Sequence, residues 1–254
     1  MTDKFEAFRV LHVPGDPLVL FNIWDAGSAK AVAAAGARAI ATGSYGVACA
    51  RGSSDGENLS LDAALANLCE ILGVTDLPVS IDMEAGYGAN AAAVGRSVAR
   101  ASQAGAAGIN MEDRLPGETA LLPAREAAAR IEAAAATGLF VNARCDVFRG
   151  QDAAVDGGAL VAATLERARA YADAGASGLF VPFLADARCI AAICEGSPLP
   201  VNILWSEPCG DRAALAALGV ARISHGHQPW AAAMAWLGEQ AAAVLGGAVP
   251  RNAI

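Results

Sequence analysis

The feature that most constrains this chain is a pattern that recurs from end to end. A short β-branched run ends in polar residues, a loop follows, then an alanine-rich helical run, then in most cases a glycine. The strand-like runs are residues 20–24, 39–43, 79–84, 108–112, 139–144, 178–183, 200–204 and 221–225. The helical runs are 28–35, 61–72, 91–104, 122–136, 160–174, 186–195, 212–218 and 230–245. Strands alternating with helices imply a parallel sheet with right-handed crossovers. Eight such units in 254 residues predict a closed TIM-type (β/α)8 barrel, one domain over residues 1–254. A doubly wound open sheet is the alternative, but there is no G-x-G-x-x-G after the first strand and no G-K-[ST].

Helix ends carry the expected chemistry. Ser28 is placed to cap the first helical run. Gly36, Gly73, Gly105, Gly138, Gly175 and Gly219 each follow a helical run, where a left-handed residue is wanted.

Composition narrows the partners. The net charge is −8, with lysine only at positions 4 and 30, so no basic patch for nucleic acid is readable. No apolar run is long enough to span a membrane, and charges at Asp3, Lys4, Glu6 and Arg9 argue against a signal peptide. The six cysteines form no C-x-x-C pair and read as reduced, buried thiols of a cytoplasmic protein.

Barrel chemistry sits at the C-terminal ends of the strands. Those ends carry Asn22 and Asp25, Thr42 and Ser44, Asp82 and Glu84, then Asn110, Glu112 and Asp113. Further round come Asn142, Arg144 and Asp146, then Asn202, then Ser224 and His225. Residues two apart on a strand share a face, which predicts that Asp82 with Glu84, Asn110 with Glu112, and Asn142 with Arg144 converge at the mouth. Crowded carboxylates raise one another's pKa, and a hard divalent cation relieves the conflict. Magnesium fits, because it takes oxygen ligands and keeps several waters. It would act as a Lewis acid toward an enolate oxygen, with the Arg144 fork facing a substrate carboxylate. The plainer alternatives are that Asp25 and Asp113 are caps or loop hydrogen-bonders, and that Arg144 neutralises Asp146.

The same residues carry a resemblance. N-I-W-D-A-G-S-A (22–29), A-T-G-S-Y-G-V-A (41–48), D-G-E-N-L-S (55–60), S-I-D-M-E-A-G-Y-G (80–88), G-I-N-M-E-D-R (108–114), N-A-R-C-D-V-F (142–148), P-V-N-I-L (200–204) and L-G-V-A-R-I-S (218–224) stand in order at strand ends. With them the chain resembles the isocitrate lyase/phosphoenolpyruvate mutase superfamily over nearly its whole length. The resemblance implies Asp82 as the principal magnesium ligand, with manganese able to substitute, and Glu84, Glu112 and Asp55 holding the ion's waters. It implies that Ser44 and the backbone N–H groups of Tyr45 and Gly46 bind the substrate's carboxylate and oxo oxygens. Arg144 would bind the far end, with Asn202 near it. The implied activity is that of a lyase or decarboxylase on a small 2-oxo acid or oxo-dicarboxylate, through a metal-bound enolate. A 2-oxo acid-binding but catalytically degenerate member and a C–P hydrolase or phosphonomutase are the alternatives. The superfamily also implies a homo-oligomer, dimer or tetramer, with the last helix exchanged between barrels.

Two departures matter. The lyases carry K-[KR]-C-G-H after the fourth strand, where this chain reads R-L-P-G-E-T-A-L-L-P. The sixth strand ends F-V-P-F-L, where the lyases carry Glu. Cys145 should point away from Arg144 and not replace the missing thiol. Water or Tyr45 is left to deliver a proton. A Schiff-base aldolase would need Lys30 or Lys4 at the substrate.

Overall fold

The computed structural model describes residues 4–249. In chain order the elements are α1 (Lys4–Arg9), β1 (Leu18–Leu20), α2 (Ala26–Ala34), β2 (Ile40–Ala41), α3 (Ser44–Ala50), α4 (Leu61–Leu72) and β3 (Val79–Asp82). Then come α5 (Ala91–Ala104), β4 (Gly108–Glu112), α6 (Ala124–Ala135), β5 (Phe140–Arg144), α7 (Ala153–Asp173) and β6 (Gly178–Val181). The last are α8 (Ala187–Gly196), β7 (Val201–Leu204), α9 (Arg212–Ala217), β8 (Arg222–Ser224) and α10 (Gln228–Leu245).

The strands pair in parallel in the order β1-β8-β7-β6-β5-β4-β3-β2. A parallel bridge from Ile23 to Thr42 joins the two ends of that order. The fold is therefore the expected (β/α)8 barrel. The first strand is displaced from its predicted range because its register with β8 begins at Leu18, opposite Arg222. Beyond Leu20 the strand bridges again at Ile23, opposite Thr42.

Alternation sorts the strand residues into two layers. Ile40, Val79, Ile81, Ile109, Val141, Leu179, Val181, Val201, Ile203 and Ile223 belong to the large core cluster that includes the buried faces of the helices. Phe8, Leu18, Leu20, Ala39, Ala41, Ala107 and Phe140 form a second cluster. There α1 packs beneath the barrel, with Phe8 edge-on to Phe140 at 5.1 Å and His12 stacked on that ring at 4.2 Å. Between this apolar floor and the mouth lies a polar layer that includes the buried residues Ser80, Asn110, Asn142, Asn202, Arg222 and Ser224.

Several local expectations need correction. Ser28 is not the cap of α2. Asp25 is, accepting from Ser28 N at 2.7 Å, while Ser28 Oγ accepts from Asp25 N at 3.0 Å. This reciprocal arrangement satisfies two donors. Gly105 ends α5 in the left-handed conformation at φ 103°, whereas Gly73 ends α4 at φ −71°. Helix α7 starts seven residues earlier than expected, capped by Asp152 and running through Gly157 and Gly158. Residues 44–50, read as loop, form α3. Cys145, Cys189 and Cys209 are buried as expected, but Cys49 and Cys194 are only partly so and Cys69 is exposed; all six are free. No helix among the described residues is long and apolar enough to cross a membrane.

Candidate active site

At the C-terminal mouth of the barrel is a cleft of about 590 Å³. Ser44, Tyr45, Asp55, Asp82, Glu84, Glu112 and Arg144 all line it. Gly46 and Asn202 do not. Gly46 packs behind the wall, where an added Cβ would stand 3.1 Å from Trp230 Cβ and 3.3 Å from Trp24 Cβ. Asn202 turns its amide onto the buried hydroxyl of Ser224 at 3.1 Å.

Asp82, the last residue of β3, is held on every side. Its Oδ2 accepts from Ser44 N at 3.0 Å, and its Oδ1 from Asn110 Nδ2 at 3.1 Å. Asn110 Oδ1 accepts in turn from Asn142 Nδ2 at 3.0 Å, and Thr42 Oγ1 accepts from Asp82 N at 2.9 Å. The amide relay across β3, β4 and β5 fixes the carboxylate before any ligand arrives.

Glu84 reaches the cleft by a different route from the one alternation predicts. The strand has already ended, and Glu84 takes φ 49°. Its Oε2 accepts from Gly56 N and Glu57 N, both at 2.7 Å, and its Oε1 accepts from the Tyr87 hydroxyl at 3.1 Å. Glu84 thereby pins the loop that carries Asp55 against the mouth.

Asp55, Asp82, Glu84 and Glu112 share the cleft and alter one another. Burial, and then the charge of Asp82, raises the Asp55 carboxyl above its ordinary range. Burial, and then Asp82, pushes Glu84 up to about 7. Glu112 is pushed up to about 8 by burial, against the opposing pull of Arg144. Such a set is suited to a hard cation, which removes the repulsion and the desolvation penalty together. Among the described residues no three of these side chains are gathered tightly enough to clasp an ion directly. The donor set accordingly fits magnesium, which retains much of its water.

Next to Glu112, the end of β5 and the residues after it are cationic. Arg144 grips Asp146 through Nε at 2.6 Å and Nη2 at 3.0 Å, and its Nη1 lies 3.0 Å from Glu112. Burial alone would depress the guanidinium, but Glu112 and Asp146 hold its pKa above the ordinary value. Arg149 and Arg114 also approach Asp146, at 3.3 and 3.5 Å. Arg144 and Arg149 both lie near the Phe183 ring, at 5.8 and 5.6 Å. Arg144 thus neutralises Asp146 and still faces the cleft. Three guanidinium groups meet two carboxylates here, leaving positive charge toward the cavity.

Other polar residues are structural. Asp113 accepts from Tyr171 at 2.6 Å and from Arg167 at 3.1 Å. Asn22 accepts from the N–H groups of His225 and Gly226. Cys145 is buried, its thiol pushed up by burial, and does not line the cleft. Lys4 and Lys30 are exposed and outside the cleft.

Sequence reading missed Arg114, Arg149, Arg222 and His227, all of which line the cleft. Arg222 was readable, since it lies two residues before Ser224 on the same strand face. His227 stands in H-G-H directly after β8, its ring 5.5 Å from that of Tyr45.

Comparison with known proteins agrees with this architecture. Residues 8–245 match the phosphoenolpyruvate phosphomutase family. A protein from Burkholderia cenocepacia J2315, described as a candidate phosphonomutase, has a solved structure that superimposes with a TM-score of 0.90 at 46% identity, covering 95% of this chain and 100% of that one. An uncharacterised protein of Mycobacterium tuberculosis is 39% identical over 97% of this chain and 92% of its own length. A 2-methylisocitrate lyase of Salmonella typhimurium is 30% identical, over 77% of this chain and 68% of its own. An oxaloacetate decarboxylase of Bradyrhizobium is 33% identical, over 75% and 69%. The chain belongs to the phosphoenolpyruvate phosphomutase family, within the isocitrate lyase/phosphoenolpyruvate mutase superfamily.

Proposed function

We propose that this protein is a magnesium-dependent lyase of the decarboxylase type, acting on a small oxo-dicarboxylate through an enolate. The observation that carries the reading is one cleft lined by Asp55, Asp82, Glu84 and Glu112 together with Arg144, which is ion-paired to Glu112 at 3.0 Å. A bound magnesium ion, with manganese able to replace it, would supply positive charge for a developing enolate oxygen. Asp82 would hold it, with Glu84, Glu112 and Asp55 orienting its waters.

The protein's own groups do the rest. Ser44 and the first N–H groups of α3 face the substrate's 2-oxo carboxylate end, and Arg144 faces the distal carboxylate. The loop after β4 contributes Arg114, Leu115, Pro116, Gly117, Glu118 and Thr119 to the cleft, and no Lys, Cys or His. Pro182 and Phe183 make the wall after β6 apolar. An aldol-type cleavage needs a base for the alcohol and an acid for the departing carbon. Decarboxylation needs only a place for the electron pair and one later proton, so this loop suits it better. Tyr45 or water would deliver that proton, and His227, its ring 5.5 Å from that of Tyr45, would relay it.

A second reading has its own support. The arginine-rich wall also suits a phosphonate, so C–P hydrolysis or phosphonomutase chemistry is the alternative. Oxaloacetate, phosphonopyruvate and 2-methylisocitrate, each incubated with and without magnesium and assayed for pyruvate, separate these readings. Magnesium-dependent pyruvate from oxaloacetate supports ours, and turnover of phosphonopyruvate alone supports the other. Binding without turnover of any of them would mark a degenerate member.

The acting form is proposed to be a homo-oligomer in the cytoplasm. Only Pro229 of α10 is buried, while Met234, Trp236, Leu237, Val244 and Leu245 are exposed. A helix this apolar gains by burial. The superfamily resemblance makes a second copy of the chain the proposed cover.

A further inference from the structure

Beneath the carboxylates, the floor of the cleft holds a cation that neither the fold nor the proposed chemistry has yet used. Arg222 is 3% exposed and still contributes to the cleft lining. Its Nε donates to the neutral Ser224 hydroxyl at 3.2 Å, and its Nη1 has no hydrogen-bonding partner. Below it the Phe8 ring lies 6.0 Å away, which offers cation–π attraction but no counter-charge. Asn142 Oδ1, in the same polar layer, also lacks a partner. A buried guanidinium with an unused donor is costly unless an anion or a hydrogen-bond acceptor meets it. Burial depresses the Arg222 pKa to about 9, with Asp82 as the opposing charge, so the group remains a cation at neutral pH. Such strained charges concentrate at binding sites.

We propose that Arg222 is a substrate-binding residue on the cleft floor, its guanidinium meeting a carboxylate oxygen of the 2-oxo acid from below. The inference rests on the 2-oxo acid reading and adds a contact independent of the metal. It also has a distinctive sign. Arg222 repels a magnesium ion at Asp82 while attracting the anion, so removing its charge should affect the two ligands in opposite directions. A residue that merely supports the barrel would weaken both.

Oxalate, a small dianion, is the probe, with calorimetric titration of the whole protein. Arg222→Met should bind oxalate in magnesium buffer about tenfold or more weakly, and bind magnesium alone as well as or better than the wild type. Arg222→Lys should recover part of the oxalate affinity. Without magnesium the wild type should retain weak, salt-sensitive oxalate binding, a test that needs no variant and stands if Arg222→Met does not fold. Unchanged oxalate binding by Arg222→Met, equal losses of oxalate and magnesium, or no metal-free oxalate binding would each overturn the floor site. A wild type that binds no oxalate even with magnesium would overturn the 2-oxo acid reading itself, and the floor site with it.

Discussion

Ser44 donates its backbone N–H to Asp82 Oδ2 at 3.0 Å, tying the first turn of α3 to the last residue of β3. One carboxylate oxygen is thereby oriented by the same turn that brings Ser44 and Tyr45 to the cleft lining. Asp82→Asn keeps the shape but removes the charge that a metal needs. The substitution should weaken magnesium binding about 100-fold or more, since even outer partners of a metal site are worth 10–100-fold. Calorimetric titration of the folded variant with magnesium is the check.

Glu84 and Glu112 make metal binding a proton-coupled event. Their carboxyls hold protons to about pH 7 and about pH 8, against an ordinary value of 4.5. Raised values of this kind stabilise the metal-free fold fully below the ordinary value, and that contribution is lost as pH rises through 7 to 8. Magnesium needs the ionised forms, so it displaces these protons. The rise in Tm on adding magnesium should therefore be small near about pH 5.5 and larger near about pH 8.5. Differential scanning calorimetry at both pH values reads it, and an increment independent of pH would contradict the assignment.

Asp146 anchors the cationic wall. Its side chain is fully buried against Arg144, Arg149 and Arg114. Removing one partner of a buried pair leaves the other uncompensated, so Asp146→Ala should cost about 3 kcal/mol of stability. Urea unfolding measures that. The same variant frees the Arg144 fork to swing, so KM for an oxo-dicarboxylate should rise even where enough protein stays folded to assay.

Helix α10 provides a test of assembly. Trp236 and Leu237 are 57% and 53% exposed on a helix with one buried residue. If a second copy covers this face, Leu237→Glu should shift the sedimentation profile toward the monomer without unfolding the barrel. A wild type that already sediments as a monomer would contradict the proposed assembly.

Much of this was legible in the residues. The repeat of strand, loop, helix and glycine specifies the barrel because each unit must bury one apolar face on its neighbours. Asp82, Glu112 and Arg144 were legible because they end or nearly end strands whose register survives folding. Glu84 came to the cleft for a reason alternation does not contain, since the chain turns left-handed there to meet the loop at Gly56 and Glu57. Asn202 shares the strand-face pattern yet pairs with Ser224, because depth along the barrel axis, which sequence spacing does not encode, decides which polar residue meets the cavity. Gly157 and Gly158 obscured the start of α7, where the Asp152 cap and tertiary packing outweigh local propensity.

The central claim is that this cleft stabilises an enolate with the help of a metal. Proton NMR of pyruvate in deuterated water, with protein and magnesium, tests it without presuming the full substrate. The account predicts loss of the methyl signal that depends on magnesium and disappears in Asp82→Asn. Tight binding of pyruvate with no exchange, or exchange that persists when magnesium is chelated, would contradict it.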